Sequence, residues 1–227
     1  MGRGGVRVYG CGVDPGYRYA YVHGFASSAH SYKGTVLRER FAESGGVELW
    51  LPDFNRPSFG ELSHAAMLAH MDEVDQLGDR DAPWRLIGSS LGGWLAARWA
   101  ELRPDRVDRL LLLCPGFGLA QRWPEMLGAA KMDEWARVGS LPFPDATGTP
   151  VPVHYAFFEE SLREVAAPEV PCKTVIVHGS RDEVVPVESS RRYARPRPHV
   201  TLLEVDDDHG LAASIEVIEL EARRLFA

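Results

Sequence analysis

The sequence predicts an α/β fold: a mostly parallel, doubly wound sheet of about six strands with helices on both faces. Three observations carry this expectation. Several short apolar runs along the 227 residues lack the alternation of a half-exposed strand, as expected when helices cover both sides of a sheet. Segments of helical character lie between most of these runs, and strand–helix alternation is the pattern of a parallel sheet. Ser90 and His209 follow predicted strands, at the sheet edge where such folds place their chemistry.

Taken in order, the predicted strands are 19–22, 47–51, 84–87, 109–114, 173–178 and 200–205. Predicted helices cover about 31–43, 58–77, 91–103, 187–195 and 211–226. The last carries Ile215, Ile218, Ala222 and Leu225 on one stripe, which suits a helix with one buried face. One interval breaks the rhythm. More than fifty residues separate Pro115 from Pro171, far beyond an ordinary connection of about two to six residues. It holds Trp123, Met126, Trp135, Phe143, Tyr155, Phe157 and Phe158, with prolines at 142, 144, 150 and 152. Short helices are expected at about 121–137 and 156–166. Most of these aromatics are expected to pack on one another, since large apolar side chains are usually buried for packing. Trp123, Phe157 and Phe158 are the candidates for substrate contact.

The most informative stretch is Gly88-Ser89-Ser90-Leu91-Gly92-Gly93, between the strand Trp84–Ile87 and an apolar helix. It reads as G-x-S-x-G, a sharp strand-to-helix turn that lifts a serine hydroxyl above a sheet. The glycines keep side chains away from the backbone crossing, and Ser90 is expected to have a strained, positive φ. At a helix N-terminus, free N–H groups and the positive dipole end favour a developing oxyanion. Two later strand ends supply partners. Asp182 follows Lys173–His178, with Glu183 as its neighbouring alternative, and His209 follows Val200–Val205 in Asp206-Asp207-Asp208-His209-Gly210. Nearby negative charge favours a charged imidazole, so activity is expected to fall on acidification. Near the start, Tyr19–Val22 leads into His23-Gly24-Phe25-Ala26-Ser27-Ser28.

The order Ser90, Asp182, His209 is that of α/β-hydrolases. The chain resembles that superfamily, and most of all small bacterial serine esterases with His-Gly-Phe-x-Ser-Ser and Gly-Ser-Ser-Leu-Gly-Gly motifs. The resemblance covers nearly everything from Tyr19 onward. It implies an α/β-hydrolase core at 1–116 and 172–227, and a helical cap inserted at 117–171. It also implies a Ser90–His209–Asp182 triad, with an oxyanion hole made by the N–H groups of Phe25 (or its neighbour Ala26) and Leu91. His23 is expected to prop the His-Gly turn. About eighteen residues precede the first strand, so the first two antiparallel strands of the full fold are expected to be mostly missing, with Val6–Tyr9 as one remnant.

The implied activity is cleavage of carboxylic esters of small to medium, partly apolar substrates through an acyl-enzyme. A thioesterase or carbon–carbon bond hydrolase could use the same triad, and a small-molecule receptor on a hydrolase scaffold is the non-enzymatic alternative. No cofactor or metal is expected. Gly10–Gly16 reads as turn material rather than a dinucleotide loop, because Pro15 obstructs a following helix. His64 and His70 fall on different faces of their predicted helix; His154 and His178 read as packing or loop histidines. A net charge of −7 argues against a nucleic-acid partner, and no apolar run approaches the roughly 20 residues of a membrane helix. Met1–Gly5 lacks the apolar core of a secretory signal. Cys11, Cys114 and Cys172 show no metal or redox spacing, and a cytoplasmic location is expected. The sequence implies no particular oligomeric state.

Overall fold

Six short apolar segments line up as one sheet because each is flanked by a helix long enough to return the chain to the same edge. The computed structural model describes residues 16–45 and 47–227. The expectations on Val6–Tyr9, Cys11 and residues 10–15 of the glycine-rich turn lie outside the described residues. In chain order the elements are β1 (Arg18–Val22), α1 (Tyr32–Gly45), β2 (Leu49–Trp50), α2 (His64–Asp75), β3 (Trp84–Ser89), α3 (Leu91–Leu102) and β4 (Val107–Leu113). There follow α4 (Leu119–Leu127), α5 (Ala129–Val138), β5 (Ser140–Pro144), β6 (Pro150–His154) and α6 (Tyr155–Arg163). The chain closes with β7 (Lys173–Gly179), α7 (Val187–Ala194), β8 (Val200–Val205) and α8 (Ile215–Phe226).

The main sheet runs β2-β1-β3-β4-β7-β8, and every neighbouring pair in it is parallel. Successive residues of each strand feed opposite faces. Ala20, Val22, Leu86, Leu110, Leu112 and Ile176 pack with Met67, Met71 and Val74 of α2 and Trp94 and Leu95 of α3. Tyr19, Tyr21, Ile87, Leu111, Leu113 and Val177 pack with Leu37 and Phe41 of α1 and with Ile215, Ile218 and Ala222 of α8. Each fully buried side chain of this size contributes about 1.5–3 kcal/mol. Both strand faces are therefore apolar, which is why the strand segments read as unbroken runs.

Several boundaries differ from expectation, three of them for a clear local reason. The helix expected at 58–77 begins at His64, because Ser63 is extended and its hydroxyl caps the Ala66 N–H. The helix expected from 211 begins at Ile215; Leu211 has φ +52°, outside the helical region. The helix expected at 121–137 is two helices, α4 and α5, broken at Gly128 with φ +80°. One element was not anticipated. β5 and β6 form an antiparallel hairpin that pairs Pro142 with Pro152 and Pro144 with Pro150. Leu141, Phe143 and Val153 are buried while the four prolines are exposed. In a two-stranded ribbon both strands are edges, where a missing proline N–H is tolerated.

Candidate active site

Ser90 stands at the joint between β3 and α3, with φ +54° and ψ −121°. A non-glycine residue there carries strain of about 1–3 kcal/mol and persists only when its surroundings over-determine it. They do. The Ser90 N–H donates to Leu113 O at 2.9 Å, and Ser90 O accepts from the N–H groups of Gly93, Trp94 and Gly116 at 2.9–3.1 Å. A Cβ on Gly92 would stand 2.1 Å from Val22 O and 2.3 Å from His23 O. Only glycine lets α3 begin this close to β1.

The loops after β7 and β8 bring the other two residues to the same edge. Ser90 Oγ donates to His209 Nε2 at 2.9 Å, and His209 Nδ1 donates to Asp182 Oδ2 at 2.7 Å. Three residues spread over 119 positions of sequence thus touch in series. The two loops are tied together: the Arg181 N–H donates to Asp207 O at 3.0 Å and the Ser180 N–H to Val205 O at 2.8 Å. The carboxylate that meets His209 is that of Asp182, whose side chain is fully buried, and its neighbour Glu183 is exposed. Burial alone would raise the Asp182 pKa. Hydrogen bonds from His178, His209 and the Val185 N–H outweigh it and hold the carboxyl well below the usual carboxylate range.

The acidic run beside His209 is not simply a solvated loop. Asp207 is buried; its carboxylate accepts from Ser214 Oγ and the Asp208 N–H, both at 2.8 Å. Asp208 Oδ1 accepts from the Gly210 N–H at 2.7 Å. Asp206 faces solvent and pairs with Arg181 at 3.0 Å. Two of the three carboxylates therefore shape the turn that presents the imidazole.

The His-Gly turn packs alongside. His23 Nε2 accepts from the Phe54 N–H at 2.9 Å, and its Nδ1 lies 3.0 Å from Gly24 O, so the ring fastens the turn to the segment after β2. Phe25 and Ala26 both line the cleft that contains Ser90 and His209, and Ala26 has φ +55°. Neither the Phe25 nor the Leu91 N–H donates to another group among the described residues. Both remain available to an oxyanion.

Two cavities flank Phe25. A small apolar cavity of about 30 Å³ is lined by Phe25, His64, Leu91, Trp94, Trp123 and Phe157. A cleft of about 540 Å³ contains Ser90 and His209 and is walled by hydroxyl-bearing residues and Lys33. Lys33 Nζ donates to Gly210 O at 2.5 Å. Of the candidate contact residues, Trp123 and Phe157 reach the small cavity, while Phe158 packs on Trp135 and Tyr155 with ring centroids 5.9 and 5.5 Å apart. The Phe25 ring joins the turn to the segment between β4 and β7, stacked on Phe157 and edge-on to Trp123 and Phe143.

His64 is a wall residue that reading the sequence missed. Its ring stacks on Phe157 at 4.9 Å and meets Trp94 edge-on at 5.0 Å. Burial lowers its pKa to about 4, with Glu160 pulling the other way, so the uncharged imidazole acts as an apolar plate. The available signal is spacing: His64, Met67, Met71 and Val74 form the buried stripe of α2. Glu160 of α6 latches this region. Its carboxylate accepts from Ser63 Oγ at 3.2 Å, the His64 N–H at 3.0 Å and the Ala65 N–H at 2.8 Å, satisfying free donors at the N-terminus of α2. Glu160→Ala is expected to lower folding stability by about 2 kcal/mol, read from the urea midpoint at unchanged slope.

Cys114 Sγ, a His178 nitrogen and an Asp182 oxygen lie within 4.8 Å of one another, the spacing of potential metal ligands. Each is already engaged: Cys114 Sγ accepts from the Gly179 N–H at 3.5 Å, and burial pushes its thiol pKa far up. The three form a hydrogen-bonded cluster behind the acid. His154, at the end of β6, is exposed and donates its N–H to Gly60 O at 2.9 Å.

Comparison with known proteins agrees with this architecture. Human palmitoyl-protein thioesterase ABHD10, mitochondrial, is 31% identical over 193 residues, an alignment spanning 81% of this chain and 62% of that protein. The chain thus spans about three fifths of the length of that curated relative. Mouse α/β-hydrolase domain-containing protein 10 superposes with a TM-score of 0.72 at 24% identity, covering 91% of this chain and 88% of its own. Est1E from Butyrivibrio proteoclasticus, solved with ferulic acid bound, superposes with a TM-score of 0.70 at 19% identity, covering 93% and 89%. The model of an uncharacterised protein family, UPF0227, matches residues 18–220, and with these neighbours it establishes that the chain belongs to that family within the α/β-hydrolase superfamily.

Proposed function

We propose that this protein is a serine hydrolase that cleaves carboxylic esters of small to medium, partly apolar substrates. The observation that carries the reading is the contact series from Ser90 Oγ through His209 to Asp182, at 2.9 and 2.7 Å. Ser90 Oγ attacks the ester carbonyl while His209 Nε2 takes its proton. The N–H groups of Phe25 and Leu91 receive the tetrahedral oxyanion, an interaction whose loss costs about 10²–10³ in rate per donor. His209 then protonates the departing alcohol, and Asp182 stabilises the imidazolium between the two transfers. Water, activated by the same imidazole, releases the acid and restores Ser90.

The two cavities suggest how the halves of a substrate divide. The apolar cavity beside Leu91 suits the acyl group, and the polar cleft beside His209 suits the alcohol. Space of about 30 Å³ holds roughly two waters, so p-nitrophenyl acetate and butyrate are expected to exceed the palmitate in kcat/KM by about tenfold or more. Trp123→Ala, which widens that cavity, narrows the gap. A palmitate preference in the parent protein would contradict this assignment of the cavities.

Thioester cleavage is the second reading, favoured by the thioesterase name of the human relative. Matched acyl esters and acyl thioesters, compared by kcat/KM, separate the two. Fluorophosphonate labelling with peptide mapping tests the nucleophile, and label anywhere other than Ser90 removes the basis for both. Tight binding of an ester without turnover would favour the receptor alternative; cleavage of β-diketones but not esters would favour carbon–carbon hydrolysis.

A further inference from the structure

Asp182 is held from two sides by two histidines, and only one of them faces the cleft. Its Oδ1 accepts from the Val184 and Val185 N–H groups at 2.9 and 2.8 Å. Its Oδ2 accepts from His209 and lies 3.2 Å from His178 Nε2. His178, at the end of β7, has no exposed surface, nor has Ser190 of α7. His178 Nε2 also lies 2.8 Å from Val185 O, and its Nδ1 lies 2.7 Å from Ser190 Oγ. Both neighbours of Nε2 are oxygens that only accept, so Nε2 carries the proton. The neighbour of Nδ1 is a hydroxyl, which donates to it. The result is a mirrored series, Ser190–His178–Asp182–His209–Ser90, with the carboxylate at its centre and His178 facing it at 3.2 Å while its own hydrogen bond goes to Val185 O. Its rear half is sealed from solvent, so Ser190 cannot act as a nucleophile.

We infer that His178 is a positioning residue for the acid–imidazole pair, with Ser190 fixing its tautomer; the inference rests on the Ser90 hydrolase reading. A carboxylate oxygen can accept along more than one direction. The His178 Nε2–H donates to Val185 O at 2.8 Å and stands 3.2 Å from Asp182 Oδ2; the sealed ring beside that oxygen limits rotation of the carboxylate, which keeps it aimed at His209 Nδ1. The Val185 peptide closes the cradle, donating to Asp182 through its N–H and accepting from His178 through its carbonyl. Without His178 the carboxylate stays buried but can turn, and His209 loses its fixed orientation. Small misplacements of reacting groups are costly, about 10² in rate for 1 Å.

The test uses the full chain with His178→Phe, His178→Gln and Ser190→Ala. kcat and KM are measured on p-nitrophenyl acetate, folding by circular dichroism, and the downfield His209 Nδ1–H resonance by proton NMR, assigned by its loss in His209→Gln. Folded His178→Phe is expected to lose about tenfold or more in kcat, with KM within about twofold, and to shift or broaden that resonance. Gln, which keeps a donor, recovers part of the rate, and Ser190→Ala loses about threefold. A folded Phe variant with parental kcat and an unmoved resonance overturns the inference. Should the Phe variant not fold, parental rates and resonances in both His178→Gln and Ser190→Ala overturn it instead. An unreactive parent protein would defeat the hydrolase reading, while the resonance would still decide whether His178 orients the pair.

Discussion

Ser90→Ala is expected to lower kcat by roughly 10⁶-fold on p-nitrophenyl butyrate and to abolish fluorophosphonate labelling. The size of the effect follows from the geometry. Ser90 Oγ is the atom hydrogen-bonded to His209 Nε2, and no other hydroxyl among the described residues is bonded to that nitrogen. Under the proposed reading, removing it leaves His209 with no hydroxyl to deprotonate. Stability should respond differently. Alanine keeps a Cβ at φ +54° and so keeps the strain of the elbow. Ser90→Gly removes both hydroxyl and strain, and is expected to be as inactive as the alanine variant but more stable by about 1–3 kcal/mol. Activity and thermal unfolding measured on both variants check this, and residual activity within about a hundredfold of the parent would place the nucleophile elsewhere.

Asp182→Asn is expected to cost about 10⁴ in kcat while leaving the protein folded. The amide is isosteric, yet its NH₂ group must face a donor. Oδ1 of the native residue accepts from two N–H groups and Oδ2 accepts from the His209 Nδ1–H. If the amide nitrogen occupies the Oδ2 position, His209 must accept at Nδ1 and carry its proton at Nε2, where it can no longer deprotonate Ser90. The sign of the stability effect follows from the depressed Asp182 pKa. A carboxyl held below its unfolded value of about 3.9 stabilises the fold above that pH, and the contribution is lost as pH falls through the folded value. Acid unfolding of the asparagine variant should therefore begin from a lower stability and depend less steeply on pH below about 4. Parental activity in a folded Asp182→Asn protein would show that another group orients His209.

Much of the fold is legible along the chain because its signals are local. Unbroken apolar runs such as Leu110–Leu113 identify strands covered on both faces, and the 215, 218, 222, 225 stripe identifies α8. The hairpin β5–β6 is also locally encoded, since Leu141 and Phe143 alternate with Pro142 and Pro144. It escapes notice because four prolines in fifteen residues suggest loop rather than strand. Gly128 and Ser63 move helix ends by a few residues for reasons of backbone conformation and capping.

The three residues in series at the sheet edge are legible for the same reason, since each lies in a short motif just after a strand. The residues behind and beside them are not. His178 and Ser190 are twelve positions apart with no motif joining them, and they meet only because α7 packs on the end of β7. His64 becomes a cavity wall only when α6 lays Phe157 against it. Phe25 shows the division within one residue: its backbone place follows from the His-Gly turn, while its ring partners come from α4, α6 and β5.

By itself, then, the amino-acid order determined the strands and helices of the main sheet, its parallel arrangement and the order in which Ser90, Asp182 and His209 follow their strands. These depend on side-chain periodicity and steric permission over a few neighbouring residues. Tertiary packing alone decided the cavity sizes, the second histidine on Asp182 and the Glu160 latch. Those arise between segments tens of residues apart, where contact is set by how whole elements fill space together.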